Sequence, residues 1–309
     1  MPETHTRPFA QVNVFSGNSP GSLYDGNPVA VVNLLGALSF TSTQQMQAFA
    51  SWTNLSETTF LLPPQHPSAD YLLRIFTTTR ELPFAGHPTL GSCHVWLSLG
   101  FLPKSGPLGV VVQECGLGLV NVHSPLSLST SGGGGAMTVD GGTLAFEAPE
   151  PYRFGPLDPS ELATLREGLG LSAEAIVSHS HVAVGPPWRG LLVENAQIVL
   201  SLNPDLSKLD GMDVGVIGPA LAGLDYDFEV RAFCPLDGTE DPVTGSLNAG
   251  LAKWMFDSGH VKADSYVVRQ GSKVGRDGRV FVERDREGRI FIGGRCNTVV
   301  EGTVKVPSS

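Results

Sequence analysis

A chain of 309 residues is about twice the usual single-domain length, so two domains are the starting expectation. Hydrophobic residues at 41% and charged residues at 16% exclude a disordered or coiled-coil chain, while 37 glycines and 23 prolines call for short elements joined by tight turns. A net charge of −10 argues against a nucleic-acid or anionic-membrane surface, and four cysteines without CxxC spacing carry no zinc or redox signature and suit reduced thiols in the cytoplasm.

The N-terminus lacks a signal-peptide layout, and no apolar run reaches the ~18–20 residues of a transmembrane helix. Strand patterns are expected at Gln11–Phe15 and Val29–Leu34, separated by the turn-rich SGNSPGSLYDGNP. Helical spacing runs over Ser39–Trp52, with Thr41 or Ser42 as N-cap. Thr58–Leu62 and Tyr71–Thr77 read as strands, 88–99 as a helix, and Val110–Val112 and Leu117–Val122 as further strands. Ser124–Gly142 is a low-complexity linker or hairpin tip and the best domain boundary, giving domains 1–128 and 129–309, with the final strand free to cross back. Beyond it come a strand at Thr143–Glu147, a helix near Pro159–Leu169, strands at Leu191–Val193 and Phe228–Phe233, and a helix at Leu247–Asp257. The tail reads as hairpin strands at Val267–Gln270, Val280–Arg284 and Arg289–Ile292, turning at Asp277-Gly278 and Glu287-Gly288.

The chain matches itself at an offset of about 159 residues. Glu81, Pro83, Gly86, Gly91 and Gly100 coincide with Glu240, Pro242, Gly245, Gly250 and Gly259. Upstream, Arg74-Ile75-Phe76 matches Arg231-Ala232-Phe233. Each copy reads strand, acidic turn, glycine loop, helix. A glycine before a helix lets a ligand approach the first free N–H groups, where the helix dipole favours an anion such as a carboxylate. Taken singly, each glycine would more often serve only its turn.

At these residues the chain resembles the PhzF-like (phenazine biosynthesis) family of the diaminopimelate epimerase-like superfamily. The motifs are Gly26-Asn27-Pro28-Val29-Ala30-Val31, Ser56-Glu57-Thr58-Thr59-Phe60, Glu81-Leu82-Pro83-Phe84-Ala85-Gly86-His87-Pro88-Thr89 and Glu240-Asp241-Pro242-Val243-Thr244-Gly245-Ser246, with Gln270-Gly271 and Gly275-Arg276 in the tail. The resemblance implies an α+β fold of two pseudo-symmetric domains, each a barrel-like curved sheet around a central helix. It also implies an active site in the cleft at the two helix starts, no cofactor and no metal, and a homodimer.

Glu57 precedes an apolar strand, and a partly desolvated carboxylate suits proton abstraction and return near neutral pH. Without the resemblance, a surface or helix-exit glutamate would be the better reading; the resemblance makes it the acid/base. His87 follows Gly86 at a helix start, where the dipole keeps it neutral and able to touch substrate or relay a proton. Asp241 reads alone as an Asp-Pro turn, and by resemblance as a hydrogen-bonding or proton-handling partner opposite Glu57. The resemblance adds Asn27, Ser56, Gly86, Gly245 and Ser246 as substrate-binding residues. Glu81 and Glu240, being repeated, suit a structural role in fixing the loops.

Two departures narrow the chemistry. Epimerases of the superfamily use a cysteine before each loop glycine, where this chain has Ala85 and Thr244, so a two-thiol mechanism is absent. Cys93 and Cys234 read as core residues. The stretch Ser16–Asp25 is longer than the family pattern and could border the cleft. His179-Ser180-His181 has a metal-pair spacing without a supporting third ligand and reads as structural.

The expectation is a cytoplasmic, cofactor-independent isomerase of a small carboxylate-bearing metabolite, with no nucleic-acid or membrane partner. A lyase or cyclase of specialised metabolism using the same cleft is one alternative, and a non-catalytic binding protein is another.

Overall fold

The computed structural model describes residues 4–17, 23–36, 42–104, 110–124 and 143–307. The linker expected at 124–142 lies outside them apart from Ser124, as do the glycine run 132–135, residues 18–22 of the long N-terminal loop, and residues 39–41 of the first expected helix. The chain divides into two units, one of Met1–Glu147 with Gly293–Ser309 and one of Ala148–Ile292.

The first unit contains β1 (Thr4–Ser16), β2 (Asn27–Asn33), α1 (Thr43–Thr53), β3 (Glu57–Leu62), β4 (Tyr71–Phe76), β5 (Glu81–Leu82), α2 (Gly86–Ser98), β6 (Val110–Cys115), β7 (Gly118–His123) and β8 (Thr143–Glu147). The second contains β9 (Arg153–Gly155), α3 (Pro159–Leu169), β10 (Ile176–Ala183), β11 (Arg189–Val193), α4 (Ala196–Ser201), β12 (Val214–Pro219), β13 (Phe228–Cys234), β14 (Thr239–Asp241), α5 (Gly245–Asp257), β15 (Ser265–Gln270) and β16 (Gly278–Arg284). A long last strand, β17 (Ile290–Pro307), carries the chain back into the first unit.

In the first unit, β17, β1 and β2 are antiparallel neighbours, β2–β3 is parallel, β3–β4 antiparallel, β4–β6 parallel, and β6–β7–β8 antiparallel. Pairing of β8 with β17 closes this order into a barrel. In the second unit, β10–β11 is antiparallel, β11–β12 parallel, β12–β13 antiparallel, β13–β15 parallel and β15–β16 antiparallel. That alternation is the one running from β1 to β7. The sequence repeat therefore marks a repeated fold, α+β in class, with each curved sheet wrapped on one helix.

The wrapped helices are α2 and α5. Helix α2 touches β1, β2, β3, β4, β6, β7 and β8, and α5 packs on β10 and β16. Both helices are buried over most of their length, which a helix apolar on all sides requires. The repeated glycines let the strands come close. A Cβ on Gly91 would meet Val29 Cγ1 at 2.5 Å, and one on Gly250 would collide with the Val182 carbonyl oxygen.

The outer helix α1 starts at a capping box between Ser42 and Gln45 and ends at Asn54, whose φ of 56° is left-handed. It buries Met46 and Ala50 in a cluster with Phe60, Phe76 and Val306. In the second unit, α3 and α4 cover a cluster that includes Leu165, Leu191, Val199, Val216 and Phe233.

Glu81 and Glu240 hold the same structural place. Arg74 donates from Nε and Nη2 to Glu81 at 2.7 and 2.6 Å, and Arg231 donates in the same way to Glu240 at 3.0 and 2.7 Å. Each forked pair ties β4 or β13 to the short strand that leads into the glycine loop. Cys93 is fully buried and pushed up to about 12 by desolvation, so it is inert packing, while Cys234 is half-buried. His179 Nδ1 accepts from the Leu157 N–H at 3.1 Å, and His181 Nε2 lies 3.2 Å from Glu161 Oε2, so neighbours within the unit engage both histidines.

Candidate active site

Three element starts converge in the first unit. Asn27 opens β2, Glu57 opens β3, and Gly86 and His87 open α2. The parallel register sets Glu57 opposite Val29, two residues past Asn27. Gly26 is required before that strand, because a Cβ there would collide with the Val14 carbonyl oxygen. Its N–H donates to Asn13 Oδ1 at 3.1 Å, which fixes the entry to Asn27. Phe15, the residue bulged out of β1, sits at φ 61° with its buried ring where a Cβ on Gly294 would fall.

The side chains form a chain. Ser56 Oγ donates to Asn27 Oδ1 at 3.2 Å, which turns the Asn27 amide nitrogen toward His87 Nδ1 at 3.3 Å. On the far side of the ring, Nε2 lies 3.2 Å from Glu57 Oε2. The His87 side chain is 4% exposed and that of Glu57 15%, so the pair is largely shielded but still reachable. Burial lowers the His87 pKa to about 3, and a backbone hydrogen bond to Pro28 only partly opposes it. The ring is therefore neutral near pH 7, with one nitrogen a donor and the other an acceptor. A carboxylate beside such a ring can exchange a proton with a bound molecule without creating a second buried charge.

The start of α2 has no side-chain cap. Its N-cap, Ala85, carries no side-chain oxygen, so the helix leaves its first backbone donors without the usual side-chain acceptor.

The second unit repeats this helix start with different side chains. Helix α5 begins at Gly245 after Thr244, again without a side-chain cap bond. Asp241, at the end of β14, accepts from Thr244 Oγ1 at 2.5 Å. Ser246 Oγ accepts from Trp188 Nε1 at 3.2 Å. Ser246 thus stands where His87 does, and Trp188, just before β11, meets it as Asn27 meets His87. Trp188 is 2% exposed, and sequence reasoning missed it; the one signal available was an aromatic wedged between Pro187 and a strand.

The expected residues thus fall into two sets. Asn27, Ser56, Glu57, Gly86 and His87 gather in the first unit, and Asp241, Gly245 and Ser246 share one loop in the second. Among the described residues no group of three or more His, Cys, Asp or Glu side chains is arranged to hold a metal ion.

The sequence profile of phenazine biosynthesis-like proteins (PhzC–PhzF) matches residues 13–302. The chain belongs to this family. Among curated relatives, Antisense-enhancing sequence 1 of Schizosaccharomyces pombe is 33% identical, over 95% of this chain and 97% of its own. Trans-2,3-dihydro-3-hydroxyanthranilate isomerase of Pseudomonas chlororaphis is 30% identical, over 91% of this chain and 94% of its own. Among solved structures, a PhzF-family phenazine biosynthesis protein of Bacillus anthracis superposes with a TM-score of 0.73 at 21% identity, covering 97% of this chain and 99% of that one. The chain is a PhzF-like isomerase with the epimerase-like fold. No helix among the described residues is long and apolar enough to cross a membrane.

Proposed function

We propose that this isomerase moves a proton within a small carboxylate-bearing metabolite, with Glu57 as the acid/base. The observation that carries the reading is the 3.2 Å approach of Glu57 Oε2 to a neutral, buried His87 at the uncapped start of α2. Glu57 removes a proton from carbon and returns it to another position, shifting a double bond. The neutral His87 ring donates to the developing enolate or passes the proton on, which a ring already charged would do poorly. Backbone donors at Gly86 and Gly245, with the Ser246 hydroxyl, hold the anionic and polar groups of the substrate. Asp241 serves as a hydrogen-bonding partner of the substrate. No thiol takes part, because Ala85 and Thr244 stand in the places a two-cysteine racemase would need. In this reading the enzyme works without cofactor or metal, as a homodimer in the cytoplasm.

The pseudomonad relative carries its substrate in its name, which makes trans-2,3-dihydro-3-hydroxyanthranilate the first compound to try. The test is incubation in D2O with that compound and a panel of unsaturated or cyclic carboxylates, beside Glu57→Gln. Deuterium at a carbon of the product, lost by a factor of about 100 or more in the variant, supports the assignment. Equal labelling by both proteins removes Glu57 from the reaction. A product lacking water or closed into a ring would instead mark a lyase or cyclase.

A further inference from the structure

Gln270 lies at the end of β15, fully buried, and all four of its hydrogen-bonding positions are used. Its Oε1 accepts from the Thr244 backbone N–H at 3.1 Å and from Asn248 Nδ2 at 3.0 Å. Its Nε2 donates to the Asp241 backbone oxygen at 3.1 Å and to Thr244 Oγ1 at 2.9 Å. The amide has one possible orientation, since a backbone N–H can only donate and so must face the oxygen. Thr244 Oγ1 consequently receives a proton from Gln270, and its own hydroxyl proton is directed at Asp241 Oδ2, 2.5 Å away. That spacing is a short hydrogen bond from a hydroxyl to a carboxylate oxygen.

The first unit shows what this arrangement looks like without a carboxylate. Gln113 on β6, two residues before the position that the strand registers match to Gln270, is also fully buried and donates to Thr89 Oγ1 at 3.0 Å, which donates to the Ala85 backbone oxygen at 2.9 Å. There the chain of bonds ends on the helix's own backbone. In the second unit Asn248 takes over that backbone bond, donating to the Thr244 oxygen at 2.8 Å. The Thr244 hydroxyl has no counterpart in the first unit, where Ala85 stands, and it reaches the Asp241 side chain.

We propose that Gln270 is a positioning residue for the reaction, acting through Thr244 to hold the Asp241 side chain in one orientation as a hydrogen-bond acceptor. The inference rests on the reading of Asp241 as a group that meets the substrate. It also gives Thr244, at the position of the superfamily's cysteine, a different role, in which it aims a carboxylate instead of attacking a proton.

Two measurements test it. The first needs no substrate. In protein labelled with ¹³C at aspartate carboxyls, the Thr244 hydroxyl proton is expected as a slowly exchanging signal correlated with the Asp241 carboxyl carbon, and Gln270→Met is expected to abolish the correlation. A hydroxyl proton correlated elsewhere, or one indifferent to Gln270→Met, overturns the proposal. The second is deuterium incorporation into trans-2,3-dihydro-3-hydroxyanthranilate. Thr244→Val, which keeps the shape and loses the hydroxyl, is expected to cut kcat by about 10- to 100-fold with little change in KM, and Thr244→Ser to restore most of it. Valine and serine variants that behave alike would sink a role in the reaction. Glu57→Gln runs beside them. If it is as active as the parent, or if the parent labels neither this compound nor any carboxylate of the panel, the functional reading has failed, and the proton correlation alone decides whether Gln270 aims Asp241.

Discussion

His87 is a base kept neutral by burial, and that has a measurable consequence. In the unfolded chain an imidazole takes up its proton near pH 6.5, whereas in the fold it does so near pH 3. Between these values the unfolded state holds the extra proton. The stability contributed by the neutral ring is thus present above about pH 6.5 and is lost as the pH falls toward 3. One such group tilts stability by at most ~1.4 kcal/mol per pH unit. His87→Gln removes the titration, so urea denaturation from pH 4 to 7 should show a shallower decline for the variant than for the parent. Parallel curves would mean that the ring is charged or solvated in the fold. At this scale the sequence was partly legible. Glu57 and His87 stood out through their motifs, but the links from Ser56 through Asn27 to His87 depend on the parallel register of β2 and β3. A register joining residues so far apart leaves no local pattern.

The forked Arg–Glu pairs hold the short strands that deliver both glycine loops, yet their surroundings differ. The side chains of Arg231 and Glu240 are 6% and 10% exposed, against 23% and 37% for Arg74 and Glu81. Glu240→Gln strands a guanidinium whose remaining partners are the backbone oxygens of Val199 and Leu202, at 3.3 and 2.7 Å. The expected loss is about 3–5 kcal/mol, as for a buried pair broken on one side. Glu81→Gln should cost no more than about 1 kcal/mol, since water reaches that pair. Chemical denaturation of the two variants checks the contrast, and equal losses would contradict it. The repeat made both glutamates visible as structural residues. The unequal burial was hidden, because it comes from α4, an element that sequence patterning missed along with β9, β10 and β12. Strand β10 interrupts its apolar residues with Ser178, His179, Ser180 and His181, whose contacts with α3 and with the turn before it are long-range. The helices α2 and α5 were anticipated two residues late, since propensity favours a start after glycine, whereas the helical hydrogen bonds begin with it.

At the scale of the molecule, the repeated order of strand pairings is the main organising fact, and the chain's last segment breaks its simplicity. The tail was expected to end in a short hairpin strand near Ile292, but β17 runs on to Pro307. Beyond the Val300 pairing with Gln11, its sequence, Glu301-Gly302-Thr303-Val304-Lys305, is too polar to advertise a strand, and pairing with β1 is what orders it. That pairing runs from Thr4 opposite Pro307 to Ser16 opposite Arg295, whereas β2 covers only Phe9–Val14 of β1. Val306 contributes to the cluster around Phe60 and Phe76, and Gly294 makes room for the ring of Phe15. A chain ending at Ile292 therefore leaves β1 with a bare edge, removes one stave from the barrel and opens the cluster beneath α1. The expected result is loss of amide-exchange protection throughout β1–β4 and α1, with β10–β13 and α5 keeping theirs, because the pairings β10–β11, β11–β12, β12–β13 and β13–β15 lie within residues 148–292. A peptide spanning 293–309, added in trans, should restore protection to β1 first. If protection fell evenly along the whole chain instead, the two halves of the repeat would be one cooperative unit, and β17 would be stabilising both.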